Sequence, residues 1–229
     1  MSLFSIADLH LSTSQEKPMD IFGGWWINHT DTLLKNWVSK ITDTDTVIIP
    51  GDISWALKLE EAKLDLDWLD ALPGKKILVK GNHDLWWTSI QKLTNLYDRI
   101  DFIQNSCSLY QDYAICGTRG WLCPGESGFD SHDEKIYSRE LGRLKLSLEA
   151  AKNRGIHKII GILHFPPTNE KLEASGFTAL FEQYQVEQVV YGHLHGEEAY
   201  KYGLQGVRGG VAYKLTSCDF LACEPLKLL

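Results

Sequence analysis

The sequence predicts an α/β fold, and three observations carry that prediction. Continuous apolar, β-branched runs such as Thr46-Val47-Ile48-Ile49 and Lys158-Ile159-Ile160-Gly161-Ile162-Leu163 suit strands covered on both faces. Segments of helical period separate such runs in βαβαβα order over the first part of the chain, which implies a parallel sheet with right-handed crossovers. Five of the apolar runs end in carboxylate, amide or imidazole side chains. A chain of 229 residues is long enough to bury a sizeable core and suits one domain, read here as 1–229.

The elements follow in order. Leu3 to Ala7 is a short strand ended by Asp8-Leu9-His10. A loop broken by Pro18 and Gly23-Gly24 carries Trp25 and Trp26. Thr30 or Asp31 can cap a helix with Leu33, Leu34, Trp37, Val38 and Ile41 on its apolar face. The Thr46 run ends at Gly51-Asp52 after Pro50. Glu60 to Leu72 has the spacing of a second helix, buried through Ala62, Leu66, Leu69 and Leu72 and stopped by Pro73-Gly74. Lys76 to Lys80 is a third strand, ended by Gly81-Asn82-His83-Asp84, and Trp86 to Leu96 is expected to form a third helix. Three short β-like runs between Phe102 and Cys116 then suggest a hairpin or meander that extends or switches the sheet. Gly117 to Asp130 is a Gly-rich loop containing Arg119 and Trp121, and Arg139 to Ala151 is a helix. The strand at Lys158 ends at His164, a helix is expected near Gly176 to Tyr184, and the strand at Gln188 ends in Gly192-His193-Leu194-His195-Gly196. From Glu198 to Leu221 the chain reads as short antiparallel strands between glycines.

Composition narrows the function classes. A net charge of −7 argues against a surface that coats nucleic acid. The five cysteines include no Cys-x-x-Cys pair, so neither a disulfide framework nor a zinc knuckle is expected, and a reducing cytoplasm suits them better. The N-terminal run lacks a basic n-region and meets Asp8 early, unlike a secretory signal. No apolar run approaches the ~18 residues of a membrane span.

In open α/β sheets the ligand crevice lies beyond the carboxyl ends of the strands. If the five polar-ended strands are parallel neighbours, their tips meet there. Taken singly, each tip has a structural explanation: Asp8 and Asp52 as carboxylates satisfied by backbone, Asn82 as a turn residue, and His164 as a buried imidazole. Their recurrence at five strand ends makes coincidence a poor explanation. Imidazole, carboxylate and amide donors without thiolates suit Mn²⁺, Fe or Zn²⁺ in a reactive site. The strand tips supply two carboxylates, one amide oxygen and five imidazoles, too many ligands for one ion and enough for two. Two ions ~3.5–4 Å apart clamp the attacking and leaving oxygens of an in-line displacement. A carboxylate is the natural bridge between them.

The ordered set Asp8-x-His10, Gly51-Asp52, Gly81-Asn82-His83-Asp84, His164 and Gly192-His193-x-His195 resembles the calcineurin-like metallophosphoesterase superfamily. The resemblance implies a four-layer α/β/β/α sandwich, with two mixed β-sheets flanked by helices. It implies Asp8, His10, Asp52 and His195 on one metal, and Asp52, Asn82, His164 and His193 on the other, with Asp52 as the bridge. It further implies attack on phosphorus by a metal-bridging hydroxide, and a catalytic role for His83 at the phosphoryl or leaving oxygen. Many relatives of the protein-phosphatase type place a carboxylate three residues after the bridging Asp to orient that histidine. Here the position is Trp55, which weighs against a protein phosphatase. Asp84 is expected to be structural, as a helix cap or a brace behind the ligands.

The expected activity is hydrolysis of a phosphomonoester or phosphodiester of a small, nucleotide-like substrate, with two divalent or trivalent ions (Mn or Fe, with Zn as the further candidate). The competing readings are a nuclease and a non-catalytic scaffold that keeps the fold. Arg119 is a candidate grip on phosphate, although a loop arginine is more often solvated. Trp55, Trp86, Trp87 and Trp121 are expected to pack rather than to bind.

Overall fold

A computed structural model describes residues 1–229. Its strands form two mixed sheets. In the first, β1 (Leu3–Ser5), β2 (Thr46–Ile49), β3 (Lys75–Leu78) and β4 (Ile100–Phe102) are parallel, and β11 (Leu226–Lys227) adds to β1 in the antiparallel sense. The second sheet has the order β5-β6-β7-β8-β10-β9. Its members are β5 (Cys107–Tyr110), β6 (Tyr113–Thr118), β7 (Lys158–Leu163), β8 (Gln188–Tyr191), β9 (Gly206–Arg208) and β10 (Val211–Leu215). The run from β6 through β7 and β8 to β10 is parallel, and an antiparallel strand closes each edge.

Period-two alternation in the apolar strands explains why the sheets stack. In β2, Val47 and Ile49 pack on the helix side while Ile48 faces the other sheet. In the second sheet, Ile159 and Leu163 face helices while Ile160 and Ile162 face the first sheet. The inter-sheet layer therefore consists of residues such as Leu3, Ile48, Ile77, Ile115, Ile160, Ile162 and Val190. Helices α1 (His29–Lys40) and α2 (Leu59–Ala71) cover the first sheet, and α4 (Ser131–Lys152) and α5 (Gly176–Gln183) cover the second. A one-turn α3 (Ile90–Leu93) precedes β4, and a one-turn α6 (Glu197–Tyr200) follows the last histidines. This is the four-layer α/β/β/α sandwich that the motif resemblance implied.

Several expected elements need correction. The third helix does not run from Trp86 to Leu96. Trp86 and Trp87 lie in a turn, buried in the core, and Trp86 donates to Asp84 (3.0 Å), so packing and not a helical stripe explains their apolarity. Asp84 consequently caps no helix. The helix expected from Arg139 begins at Ser131, where Asp130 accepts from the His132 and Asp133 amides in a capping box. On α1, Leu33 and Trp37 are buried, but Leu34 and Val38 face solvent. The hairpin β5–β6 switches sheets: β4 ends the first sheet, and the turn at Asn105-Ser106 carries the chain into the second. In the tail, β9 and β10 are antiparallel to each other, yet β10 is parallel to β8, and the stretch also contains α6.

Candidate active site

The five polar strand ends meet, but not as neighbours in one sheet. β1, β2 and β3 deliver Asp8, His10, Asp52 and Asn82 from the first sheet. β7 and β8 deliver His164, His193 and His195 from the second. Backbone bonds continue past the strand ends and hold the loops in register: the Asp8 amide donates to Gly51 O (3.0 Å), the His10 amide to Asp52 O (3.0 Å) and the Gly192 amide to His164 O (3.1 Å). Asp8, His10, Asp52 and His193 all have positive φ, at 59°, 45°, 51° and 73°. Non-glycine residues adopt that region at a cost, and such strain concentrates at functional sites. The left-handed turn at His193 is also what frees His193 and His195 from the opposite-facing geometry of a strand. Glycine is required where the loops touch. A Cβ on Gly81 would lie 2.1 Å from Asp52 Oδ1, and one on Gly192 would lie 2.4 Å from Asp8 Oδ2.

Two groups of donor atoms result, one around Asp8, His10 and His195 and one around Asp8, Asp52 and His164. His10 Nε2 is 3.4 Å from His195 Nε2. Asn82 Oδ1 is 2.6 Å from His164 Nε2 and 3.0 Å from His193 Nδ1. Asp52 Oδ2 faces both groups, 3.8 Å from His10 Nε2 and 3.5 Å from His164 Nε2. Its other oxygen accepts from the His83 amide (2.8 Å).

The fit to cations follows from lone pairs. His164 Nδ1 lies 2.9 Å from Pro50 O, which assigns the proton to that nitrogen. Burial pushes the pKa of His164 down to about 3, so the ring is neutral and Nε2 is bare. That bare nitrogen, Asn82 Oδ1 at 2.6 Å and His193 Nδ1 3.0 Å from the same oxygen form a set of converging lone pairs that a cation can bind together. The carboxylates tell the same story. Burial raises Asp8 to about 8, with His195 opposing and Asp52 adding repulsion, and burial raises Asp52 as well. The donor set is therefore short of positive charge and is built of groups that suit Mn, Fe or Zn. This fits metal ions.

Outer partners fix the inner ones. Burial opposes charge on His195, but the Asp8 and Asp219 carboxylates outweigh it and raise its pKa to about 9. Asp219 accepts from His195 Nδ1 (2.9 Å), the Gly196 amide (3.0 Å) and Tyr200 OH (2.7 Å). Such a carboxylate–histidine contact sets the tautomer and ring orientation of a metal ligand. Sequence reading missed Asp219 because it lies in a turn far beyond the last histidine motif, with no strand-end signal. Asp84 is buried and braces the loops, accepting from the Ile53, Ser54 and Gly81 amides and from Trp86 Nε1.

His83 lies at the edge of this centre, its ring centroid 5.7 Å from that of His10. Where a carboxylate would orient it, the Trp55 ring packs against it at 4.3 Å, and Lys17 Nζ sits 4.4 Å from the Trp55 ring centre. Trp55 also stacks on His10 (4.8 Å, 22°). Arg119 is not a solvated loop residue. Its guanidinium reaches the buried Glu140 (3.5 Å) and lies over Trp121 (4.5 Å), outside the main cleft. His29 is buried, with Nε2 2.9 Å from Leu9 O, so its role is structural.

A cleft of about 820 Å³ opens directly on His10, His83 and His195. A family model described as calcineurin-like phosphoesterase matches residues 1–197. The chain belongs to that family. Asp219 lies beyond the matched residues. An uncharacterised protein of Methanocaldococcus jannaschii is 28% identical over 103 residues, covering 45% of this chain and 55% of that one, so the match spans about half the relative's length. Among solved structures, phosphopantetheinyl hydrolase from Mycobacterium tuberculosis superposes with a TM-score of 0.61 at 16% identity, over 100% of this chain and 95% of that one. A protein of unknown function from Aquifex aeolicus superposes at 0.51 and 15% identity, over 99% and 95% of the two chains. These likenesses show the fold. No helix is long and apolar enough to cross a membrane.

Proposed function

We propose that residues 1–229 form one cytoplasmic domain that hydrolyses a phosphomonoester or phosphodiester of a small, nucleotide-like substrate at a dinuclear metal centre. Asp8, His10, Asp52 and His195 would hold one ion, and Asp52, Asn82, His164 and His193 the other. The observation that carries this reading is Asp52 Oδ2, which faces His10 Nε2 at 3.8 Å and His164 Nε2 at 3.5 Å, beside the bare His164 Nε2 and Asn82 Oδ1 at 2.6 Å. Two bound ions supply Lewis acidity to the phosphoryl oxygens and lower the pKa of water. Mn and Fe suit the donors, with Zn as the further candidate.

The chain's own residues do the rest. His83 stands at the mouth of the cleft, where it would stabilise the phosphoryl oxygens or protonate the leaving oxygen. The Trp55 indole, in place of a carboxylate, fixes the plane of that imidazole by packing. Asp219 orients His195. Arg119 stands outside the cleft with its guanidinium engaged by Glu140, and its charge reaches the site only as a favourable field on the Asp52 carboxylate.

The test is His83→Ala. Metal content should be unchanged while turnover of a generic phosphodiester with Mn²⁺ slows by ~10²–10⁴-fold. Loss of metal together with turnover would contradict the role given to His83.

A further inference from the structure

The cleft beside His83 has a composition that selects the leaving group. Its walls are rings: Phe22, Trp25, Trp26, Trp55, Tyr200 and Phe220. Trp26 is held firmly, edge-on to His10 and His195 with centroids 5.6 and 5.3 Å away. Trp25 and Phe22, on the loop before α1, are 57% and 66% exposed, so two ring faces are left without a packing partner. Apart from the histidines, the charged residues lining the cleft are Glu197 and Asp219, and no lysine or arginine lines it. Asp219 is already committed to His195, Gly196 and Tyr200. The cationic cluster of Lys80, Arg119 and Arg143 lines a separate small cavity.

Resting on the phosphohydrolase reading above, we propose that this cleft binds a planar, uncharged aromatic ring system of nucleobase size carried by the leaving group. Volume, shape and charge each favour it. About 820 Å³ falls within the range of pockets that enclose a small organic ligand. Offset and edge-on ring contacts at 4.5–7 Å suit aromatic walls better than an acyl chain does. With Glu197 on its wall and no lysine or arginine among its lining residues, the cleft disfavours a leaving group that bears a second phosphate. Trp25 is the selecting side chain, because its exposed face is free to close on the ring.

The experiment measures competitive inhibition of the Mn²⁺-loaded full chain by three probes: adenosine 5′-monophosphate, ribose 5-phosphate and octyl phosphate. All three carry a phosphomonoester, so they differ in what fills the cleft. Stacking of a base contributes enough to expect adenosine 5′-monophosphate to bind on the order of ten-fold or more tightly than ribose 5-phosphate. In Trp25→Ala, and separately in Phe22→Ala, that ratio should fall toward one. Both side chains are exposed, so neither variant endangers folding. Equal inhibition by the nucleotide and the sugar phosphate in an active enzyme would overturn this inference and the nucleotide-like substrate, and leave phosphoester hydrolysis standing. So would tighter binding of octyl phosphate, which would assign the cleft to an aliphatic chain. If no phosphoester is cleaved at all, both this inference and the function it rests on fail.

Discussion

Asp84→Ala tests how the fold holds the two loops of the first sheet together. The Asp84 carboxylate accepts from Ile53 N (2.9 Å), Ser54 N (3.1 Å), Gly81 N (2.8 Å) and Trp86 Nε1 (3.0 Å). The first two belong to the loop that carries Asp52, and the third to the loop that carries Asn82. A buried donor left unpaired costs about 1–3 kcal/mol, so four donors set an upper bound of about 4–12 kcal/mol. Two effects reduce the loss. Water can enter the space vacated by the carboxylate, and the fold already bears a cost for the charge, because burial raises Asp84 to about 7 with Asp52 adding repulsion. The expected destabilisation is therefore about 3–5 kcal/mol, near the lower end of the cost of four unpaired donors. Asp84→Asn should lose less, about 1–3 kcal/mol, since one oxygen still serves three donors while the new NH₂ opposes the Gly81 amide. The assay is urea unfolding of the three proteins at one pH, paired with Mn²⁺ titration. Stability should fall in the order wild type, Asn, Ala, and Mn²⁺ affinity should fall with it. An Ala variant within about 0.5 kcal/mol of wild type, the size of an ordinary surface change, would refute the brace.

Two further outcomes are expected. Asp219→Asn should weaken Mn²⁺ binding by ~10–100-fold in calorimetric titration, the usual cost of losing an outer partner of a ligand histidine; unchanged affinity would show that His195 is oriented by something else. Lys76 is fully buried, with Nζ donating to the Asp70 and Leu72 carbonyls at the end of α2. Burial, with repulsion from Arg99, lowers its pKa from 10.5 to about 8. Between those values the unfolded chain binds the proton that the folded chain has released, so this group's contribution to stability rises with pH across that window. The stability difference between wild type and Lys76→Met should therefore move in favour of wild type from pH 8 to 10.5. A flat difference would contradict the lowered pKa of the buried Lys76 amine.

The strand ends were legible because each combines a short apolar run with a polar tip, and those signals are local. The partition of the strands between two sheets was not. β2 and β7 read alike, since each is covered on both faces, and nothing in a continuous apolar run says which neighbour it will have. The false helix from Trp86 to Leu96 has the same origin: Trp86 and Trp87 are apolar because they fill the core beside Asp84, not because they form a helical stripe. Asp219 was invisible because a carboxylate in a turn carries no spacing that marks it as a partner of His195. The roles of Trp25 and Phe22 depend on a loop whose sequence shows only Pro18, Gly23-Gly24 and aromatics. Which ring faces the centre is a tertiary fact.

The central claim is that the tips of two sheets hold two ions through a shared carboxylate. Metal content of the purified chain, measured by mass spectrometry after loading with Mn²⁺ and removal of excess, tests it most directly when wild type is compared with Asp52→Ala and Asn82→Ala. Two ions per chain are expected in the wild type, with loss from both sites in the first variant and from one site in the second. A wild-type chain that retains no ion, or an Asp52→Ala chain that keeps both, would contradict it.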